Sequence, residues 1–373
     1  MKVVEGKARI SAPDGVFFNP HMRLCRDIAS LWVGTLGEVK LLDGFCASGA
    51  RGIRYVLENK NVKSAVFVDM SKKSISACKK NITANKIGKK AKAVNADIRK
   101  FLLGNGWGKK GADGGDAWLV ELDPFGSPAP YLHDALRFGN KRGVRYLSAT
   151  ATDMAVLCGA HFGACVKNYS SRPLDNEFCH ENAVRILLAR ISREASAENW
   201  GMDVELALSH RHYVKVFVKL APGAEKAVET AKLAMMHVSF CRKCGWRKLA
   251  RLPDEKCGNC KNKNLEWAGP MWGGKIFDRG KIAQMMELAE KKKNTYSDEA
   301  LKLLATVLDE ADGPEFYYDL HEMAGRGKKP IPRINEAIES LRKAGFFASR
   351  THFSPTSIRT DAGLGKIINV LEK

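Results

Sequence analysis

The sequence contains no uninterrupted apolar stretch near the roughly 20 residues that a membrane helix requires. Its opening residues, Met1-Lys2-Val3-Val4-Glu5-Gly6-Lys7, lack the apolar core of a signal peptide. Both absences argue against a membrane or secreted protein, and we expect a cytoplasmic one. Acidic residues are comparatively scarce: 41 Asp and Glu face 61 Lys and Arg, for a net charge of +20. That imbalance points to a polyanionic partner, most simply a nucleic acid, with a solvated basic surface as the alternative. The basic residues are scattered over several segments rather than aligned on one amphipathic helix, which disfavours a membrane surface. Neither internal repeats nor low-complexity segments occur. The dinucleotide fingerprint G-x-G-x-x-G is missing too, which disfavours NAD.

What is present is an ordinary globular composition, 45% hydrophobic and 27% charged over 373 residues, enough for two or three domains. Six of the ten cysteines (Cys25, Cys46, Cys78, Cys158, Cys165, Cys179) lie in mostly apolar surroundings and read as small buried hydrophobes. The other four form Cys241-x2-Cys244, twelve residues, then Cys257-x2-Cys260. This is the spacing of a zinc ribbon, in which two knuckles supply four thiolates to a tetrahedral ion. Four protein ligands leave no open position, so the zinc is expected to be structural. Residues 241–263 carry eight Lys or Arg against Asp254 and Glu255, so the ribbon is expected to face phosphate.

Along the chain, Asn19-Pro20 starts a helix, with Asn as cap and Pro at the first position. That helix carries Met22 and Arg26 and ends near Trp32-Val33. Val39-Lys40-Leu41-Leu42 then runs as a buried strand into Asp43 and a loop with glycines at 44, 49 and 52. We read this as the first βα turn of a Rossmann-like unit, where small residues let backbone approach a ligand. A second strand, Ala65–Val68, ends in Asp69, where an acid takes a ribose hydroxyl pair. A helix from Lys72 to Asn85 leads to a third strand, Ala91–Ala96, ending at Asp97 within reach of an adenine amine.

Beyond a loop from Gly104 to Gly115, Trp118-Leu119-Val120 delivers Asp123-Pro124-Phe125-Gly126-Ser127-Pro128. In succession these supply a hydrogen-bond acceptor, an outward carbonyl, a flat face and close backbone approach. The set suits a nucleobase bearing an exocyclic amine; a Pro-Gly turn closing a strand is the plain alternative. Asp43, Asp69, Asp97 and Asp123 would share the carboxyl edge of one parallel sheet. The ligand this implies is S-adenosylmethionine, a nucleoside with a reactive methyl and no pyrophosphate to need the glycine fingerprint. Val144–Thr150 reads as a fifth strand, Glu181–Glu194 as an amphipathic helix, and Tyr213–Leu220 as an alternating strand suited to an edge hairpin.

After Leu220-Ala221-Pro222-Gly223 the character changes. We expect an α/β, Rossmann-like class I methyltransferase domain over residues 1–222. A C-terminal α+β domain over 223–373 would follow, with the zinc ribbon and a winged-helix-like end. Lys281–Lys293 and Asp298–Glu310 read as helices. Phe316–Ala324, Arg333–Ala344, Phe346-Phe347 and Ser349–Ser354 have the order of a winged helix, against a plain helical bundle. Gly325-Arg326-Gly327-Lys328-Lys329-Pro330 reads as a basic turn suited to phosphate contact.

These motifs resemble one family, the archaeal and eukaryotic tRNA guanine-26 N2-methyl- and dimethyltransferases. The matching stretches are Glu5-Gly6-Lys7-Ala8, Phe17-Phe18-Asn19-Pro20, Arg26-Asp27, Ser48 to Arg54, Asp123 to Pro128, Thr150 to Asp153, Cys179-His180-Glu181 and Thr351 to Ser354. They span nearly the whole chain. The resemblance implies that Arg26, Arg51, Asp69 and Asp97 hold S-adenosylmethionine, with Ile98 against the adenine. It implies that Asp123 is the catalytic acid-base group and that Phe17 and Phe125 hold the guanine. The Pro124 carbonyl would accept the amine's second N–H. The substrate implied is tRNA, and no obligate protein partner is evident. Two other readings stay open: an amino-methyltransferase on another RNA or DNA base, and an inactive RNA-binding protein that keeps a nucleoside pocket.

Overall fold

The computed structural model describes residues 1–104, 117–327 and 332–371. A hairpin of β1 (Lys2–Glu5) and β2 (Ala8–Ser11) opens the chain and turns at Gly6, φ +54°. A Cβ there would stand 2.0 Å from Glu58 Oε1, so only glycine fits. Asn19 caps a single 3-10 turn, Pro20–Met22, through His21 N; α1 (Arg23–Gly34) begins only after it.

The apolar runs then alternate with helices as the pattern predicts: β3 (Val39–Asp43), α2 (Ala50–Glu58), β4 (Val62–Asp69), α3 (Lys72–Ala84), β5 (Ala91–Asn95), α4 (Ile98–Leu103), β6 (Ala117–Leu122), α5 (Ala129–Arg142) and β7 (Val144–Ala151). Past Gly104, the loop read before β6 lies outside the described residues. Next come α6 (Met154–Leu157), α7 (Phe162–Tyr169) and α8 (Cys179–Ala197), then the hairpin β8 (Trp200–His210) and β9 (Tyr213–Pro222). One sheet holds seven strands in the order β5-β4-β3-β6-β7-β9-β8. Its first five are parallel, and β9 runs antiparallel to both β7 and β8.

Three expectations need correcting. Helix α8 is buried on nearly all sides rather than amphipathic, because it lies beneath both the sheet hairpin and the C-terminal segments. Strand β9 does belong to an edge hairpin, with β8 as the outer strand, but it is buried on both faces rather than alternating. Lys215, which alternation groups with the exposed Lys219, is buried. Asp97 does not end β5; it caps α4.

Helix α9 (Ala224–Leu233) follows, and β10 (Met236–Phe240), β11 (Arg247–Ala250) and β12 (Glu266–Met271) form a three-stranded sheet in the order β11-β10-β12. Then come α10 (Arg279–Lys291), α11 (Asp298–Glu310), β13 (Tyr318–Asp319), α12 (Leu320–Gly327), α13 (Ile334–Lys343), β14 (Ala348–Thr351), β15 (Ser354–Thr360) and α14 (Leu364–Leu371). The helices and the β13-β15-β14 sheet follow winged-helix order and enclose their own small core around Ile338, Leu341 and Ile367. Of the basic turn, Arg326 lies in α12, where Glu177 pairs with it; residues 328–330 lie outside the described set. The large core runs from the seven-stranded sheet into Phe240, Met271, Ile282 and Leu304. No helix among the described residues is long and apolar enough to cross a membrane.

Candidate active site

Strands β3 and β6 lie side by side, and from them the sheet grows in opposite directions. Such a switch point opens a crevice at the carboxyl ends of the strands. A cavity of about 460 Å³ lies there, of small-molecule size. Phe17, Arg26, Arg51, Asp69, Asp97, Ile98, Asp123, Pro124 and Phe125 all line it. Residues as far apart in sequence as Phe17 and Phe125 are thus gathered at one sheet edge.

At one end the glycine loop is laid out by a carboxylate. Asp69 accepts from Ala47 N at 2.9 Å and from Ser71 N at 2.8 Å, and the first bond holds Ala47 at φ +43°. Asp97 accepts from Arg99 N and Lys100 N through Oδ1 alone, so it caps a helix and lines the cavity at once. At Gly44 a Cβ would meet Ile98 Cδ1 at 3.1 Å, so glycine is what lets Ile98 close the floor. Arg26 is gripped by Glu5 at 2.6 Å through both Nε and Nη2, leaving Nη1 outside that pair.

Between the two ends sits a ring of buried charge. Arg51 Nη1 pairs with Asp123 at 2.8 Å and Glu121 at 3.1 Å. Lys215 pairs with Glu121 and donates to Thr150 Oγ1 at 2.9 Å; Tyr55 donates to Glu121 at 3.1 Å. Burial raises the Asp123 pKa, but Arg51, Lys215 and a Thr150 hydrogen bond outweigh it and hold the carboxyl below its ordinary range. Asp43 is the surplus acid: no side chain bonds to either oxygen, and burial pushes its pKa up to about 6 against the pull of Arg51 and the Phe45 amide. Sequence reading missed Glu121, Thr150 and Lys215. Each sits inside a strand pattern where it reads as packing or solvent face, and only the Lys215 interruption of an apolar strand was a signal.

The other end is an aromatic mouth. Phe125 is 79% exposed, Phe17 is 51% exposed, and their rings meet edge to face at 4.9 Å. Large exposed aromatics are unusual unless they serve binding. The loop carrying Phe125 is held from below. Gly126, at φ +77°, exchanges bonds with Thr152 (2.8 Å to Oγ1, 2.9 Å from N), and Ser127 donates to Tyr169 at 2.7 Å.

The predicted zinc ligands also converge. Cys241 and Cys244 lie in the β10–β11 turn, Cys257 and Cys260 between β11 and β12, and all four sulfurs lie within 4.8 Å of one another. Separations of 3.6 Å (Cys241–Cys260) and 3.5 Å (Cys244–Cys257) approach the edges of a tetrahedron with Zn–S bonds of about 2.3 Å. The donor set therefore fits zinc. Of the ribbon's cations, Arg242, Arg247 and Lys248 are paired with Glu266, Glu177 and Asp254, while Lys243, Arg251, Lys256 and Lys263 are exposed. Chelation is expected to expose residues 241–263 to protease while calorimetry shows S-adenosylmethionine binding retained. Unchanged protease resistance after complete zinc removal would contradict it.

A sheet whose last hairpin inserts an antiparallel strand beside five parallel ones, with strand-end acids around its switch point, defines a class I S-adenosylmethionine-dependent methyltransferase. Residues 1–372 match the family described as N2,N2-dimethylguanosine tRNA methyltransferase. The chain is 33% identical to the tRNA (guanine(26)-N(2))-dimethyltransferase of Methanothermobacter thermautotrophicus, over 98% of this chain and 94% of that protein. Against the protein of the same name from Thermococcus kodakarensis it is 35% identical, over 99% and 98%. Its structure matches Trm1 from Pyrococcus horikoshii in complex with S-adenosyl-L-methionine, with a TM-score of 0.84 and 34% identity over 100% and 99% of the two chains. This chain belongs to the N2,N2-dimethylguanosine tRNA methyltransferase family.

Proposed function

We propose that this protein transfers one or two methyl groups from S-adenosylmethionine to the exocyclic N2 amine of guanine-26 in tRNA. The observation that carries the reading is the single cavity with strand-end acids at one end and Asp123 beneath exposed Phe125 at the other. When bound, S-adenosylmethionine supplies an electrophilic methyl on a sulfonium cation. The residues present suit it: Gly44 in the floor, Asp69 and Asp97 in the lining and, behind that lining, the buried Asp43 carboxylate that a cation would help to balance.

Asp69 and the free oxygen of Asp97 would hold the ribose and the adenine amine, Ile98 would pack on the ring, and Arg26 Nη1 would meet the carboxylate. Arg51 positions Asp123 against this end of the site. The guanine amine is a weak nucleophile because its lone pair is shared with the ring. Asp123 accepts one of its N–H bonds and the Pro124 carbonyl the other, which returns electron density to nitrogen. Asp123 then takes the proton shed after methylation. Its depressed pKa suffices, because losing the proton restores the conjugation of this nitrogen with the electron-poor guanine ring, which makes the methylated, positively charged amine a stronger acid than a carboxylic acid. Phe17 and Phe125 hold the base once it has left its stack, a step that costs a few kcal/mol.

Methyl incorporation into purified tRNA, with nucleoside analysis, tests the assignment. N2-methylated guanosine at position 26 is the expected product, and methylation of another base or none would overturn it. Phe125→Ala is expected to lower kcat/KM for tRNA by about 5- to 150-fold, since base–aromatic stacking is worth about 1–3 kcal/mol. S-adenosylmethionine affinity should not move.

Asp43 gives the site a pH dependence with a definite sign. A bound cation favours the ionised carboxyl, so binding below the Asp43 pKa must expel a proton. Affinity for S-adenosylmethionine is therefore expected to be flat above about pH 6 and to fall as pH drops below it. Calorimetry between pH 5 and 7 reads this directly (about two pH units suffice), with Asp43→Asn removing the dependence. Constant affinity across that range would refute the balance of charge described above.

Residues 1–222 serve as the catalytic domain in this reading and 223–373 as the tRNA-binding part, in a cytoplasmic enzyme. Support comes from the sheet's end at Pro222 and from the exposed cations around the cysteine cluster.

A further inference from the structure

A second group of soft ligands lies outside the cavity. Cys158 caps the C-terminal end of α6, while Cys179 and His180 open α8; their ligand atoms lie within 4.8 Å of one another. All three are half-buried, so Cys158 and Cys179 are not the inert core thiols that their apolar sequence surroundings suggest.

Two details separate this trio from a chance thiol contact. The backbone amides of Asn176 and Cys179 face the Cys179 sulfur. In the four-cysteine cluster Cys257 Sγ also accepts from backbone amides, there those of the residues two and three positions later, Asn259 and Cys260, each at 3.4 Å. Amide donors stabilise the thiolate, which is the form that binds metal. On the other side, the Phe353 carbonyl faces the His180 imidazole. A carbonyl in that position orients a metal-bound histidine through its second ring nitrogen. Gly159, at φ +115°, lets the chain after Cys158 pass so close to Asp175 that a Cβ would stand 2.7 Å from Asp175 N. The Asp175 carboxylate is exposed, and its charge acts on both thiols.

We propose that Cys158, Cys179 and His180 bind a second Zn²⁺, with water in the fourth position. Two thiolates and an imidazole select zinc over hard cations such as Mg²⁺. The ion would tie α6 to α8 behind the base-holding loop. Asp153, which precedes α6, accepts from Tyr169 at 2.8 Å, and Tyr169 in turn accepts from Ser127. The role is therefore one of positioning, with the metal remote from the transferred methyl.

Zinc counted by mass spectrometry on the full-length protein, purified without chelator, tests this. The expected content is two ions per chain, falling to one in both Cys158→Ser and His180→Ala. Should those variants fail to fold, zinc-edge X-ray absorption of the unaltered protein still decides, because the four-cysteine site contains no imidazole. Imidazole scattering in that spectrum supports the second site. An all-sulfur shell with one zinc per chain overturns it, as does a Cys158–Cys179 disulfide in the freshly purified protein.

Discussion

Asp123→Asn is expected to lower the rate of methyl transfer by about 10²–10⁴-fold while S-adenosylmethionine still binds. The substitution keeps the shape of the side chain and removes its charge. It exchanges one acceptor oxygen for a donor that opposes the amine N–H. Arg51 does not lose its anchor, because Glu121 remains at 3.1 Å. Asp43, whose pKa Asp123 helps to raise, is relieved rather than stressed. The cofactor end of the cavity thus keeps its charge balance, and calorimetry should return nearly unaltered affinity beside greatly reduced methyl incorporation. Glu121→Gln makes the contrast. Arg51, Lys215 and Tyr55 all converge on Glu121, so its loss is expected to reduce stability and cofactor affinity together. If Asp123→Asn behaved like Glu121→Gln, losing binding and turnover in equal measure, Asp123 would be a member of the ring and not the group that meets the amine.

The contrast also shows which parts of the site were legible in sequence. Asp69 and Asp123 follow largely apolar strands and Asp97 stands just past β5, so the strand pattern puts all three near one rim, and the structure lines one cavity with all three. The four cysteines are legible because ligand spacing is local. Glu121 and Lys215 were not legible, since nothing near either reveals that β9 lies antiparallel beside β7 and brings Lys215 across from Thr150. Pairing between strands so distant in sequence is a property of topology. Helix α8 misled for a related reason: polar residues such as Glu181 and Arg185 imply a wet face, whereas here they are buried against each other and against Arg359. The second cysteine group was misread because apolar neighbours in sequence say little about exposure at the ends of helices.

Arg54→Leu is expected to cost about 3–5 kcal/mol of stability, a large share of the about 5–15 kcal/mol that holds a domain together. Arg54 is completely buried and pairs with Glu5 at 2.9 Å, Asp27 at 2.6 Å and Glu58 at 2.8 Å. Leucine supplies comparable bulk and no charge, so three carboxylates are left in a dry interior with less compensation. Two of them are also attachment points for the C-terminal half. Asp27 accepts from Ser297 N and Oγ at 2.9 and 2.6 Å, and beside Glu58 its backbone carbonyl and Asn59 accept from Lys292 at 2.7 and 2.8 Å. Glu5 meanwhile grips Arg26 at the cavity. One guanidinium thus joins the cofactor end of the site to α10 and α11, and its removal is expected to loosen both. The pH dependence identifies the cause. Burial raises the Glu5 pKa, but Arg26 and Arg54 together bring it below its ordinary range, so its contribution to stability is lost as pH falls through the carboxylate range. In the variant the carboxylates are free to take protons, which relieves the deficit as pH falls. Urea unfolding at about pH 7 and pH 5 should therefore show a gap between the two proteins that narrows at the lower pH. A gap below about 1 kcal/mol at neutral pH would mean that water reaches these carboxylates. A gap that did not change with pH would mean that Arg54 acts by packing rather than by charge.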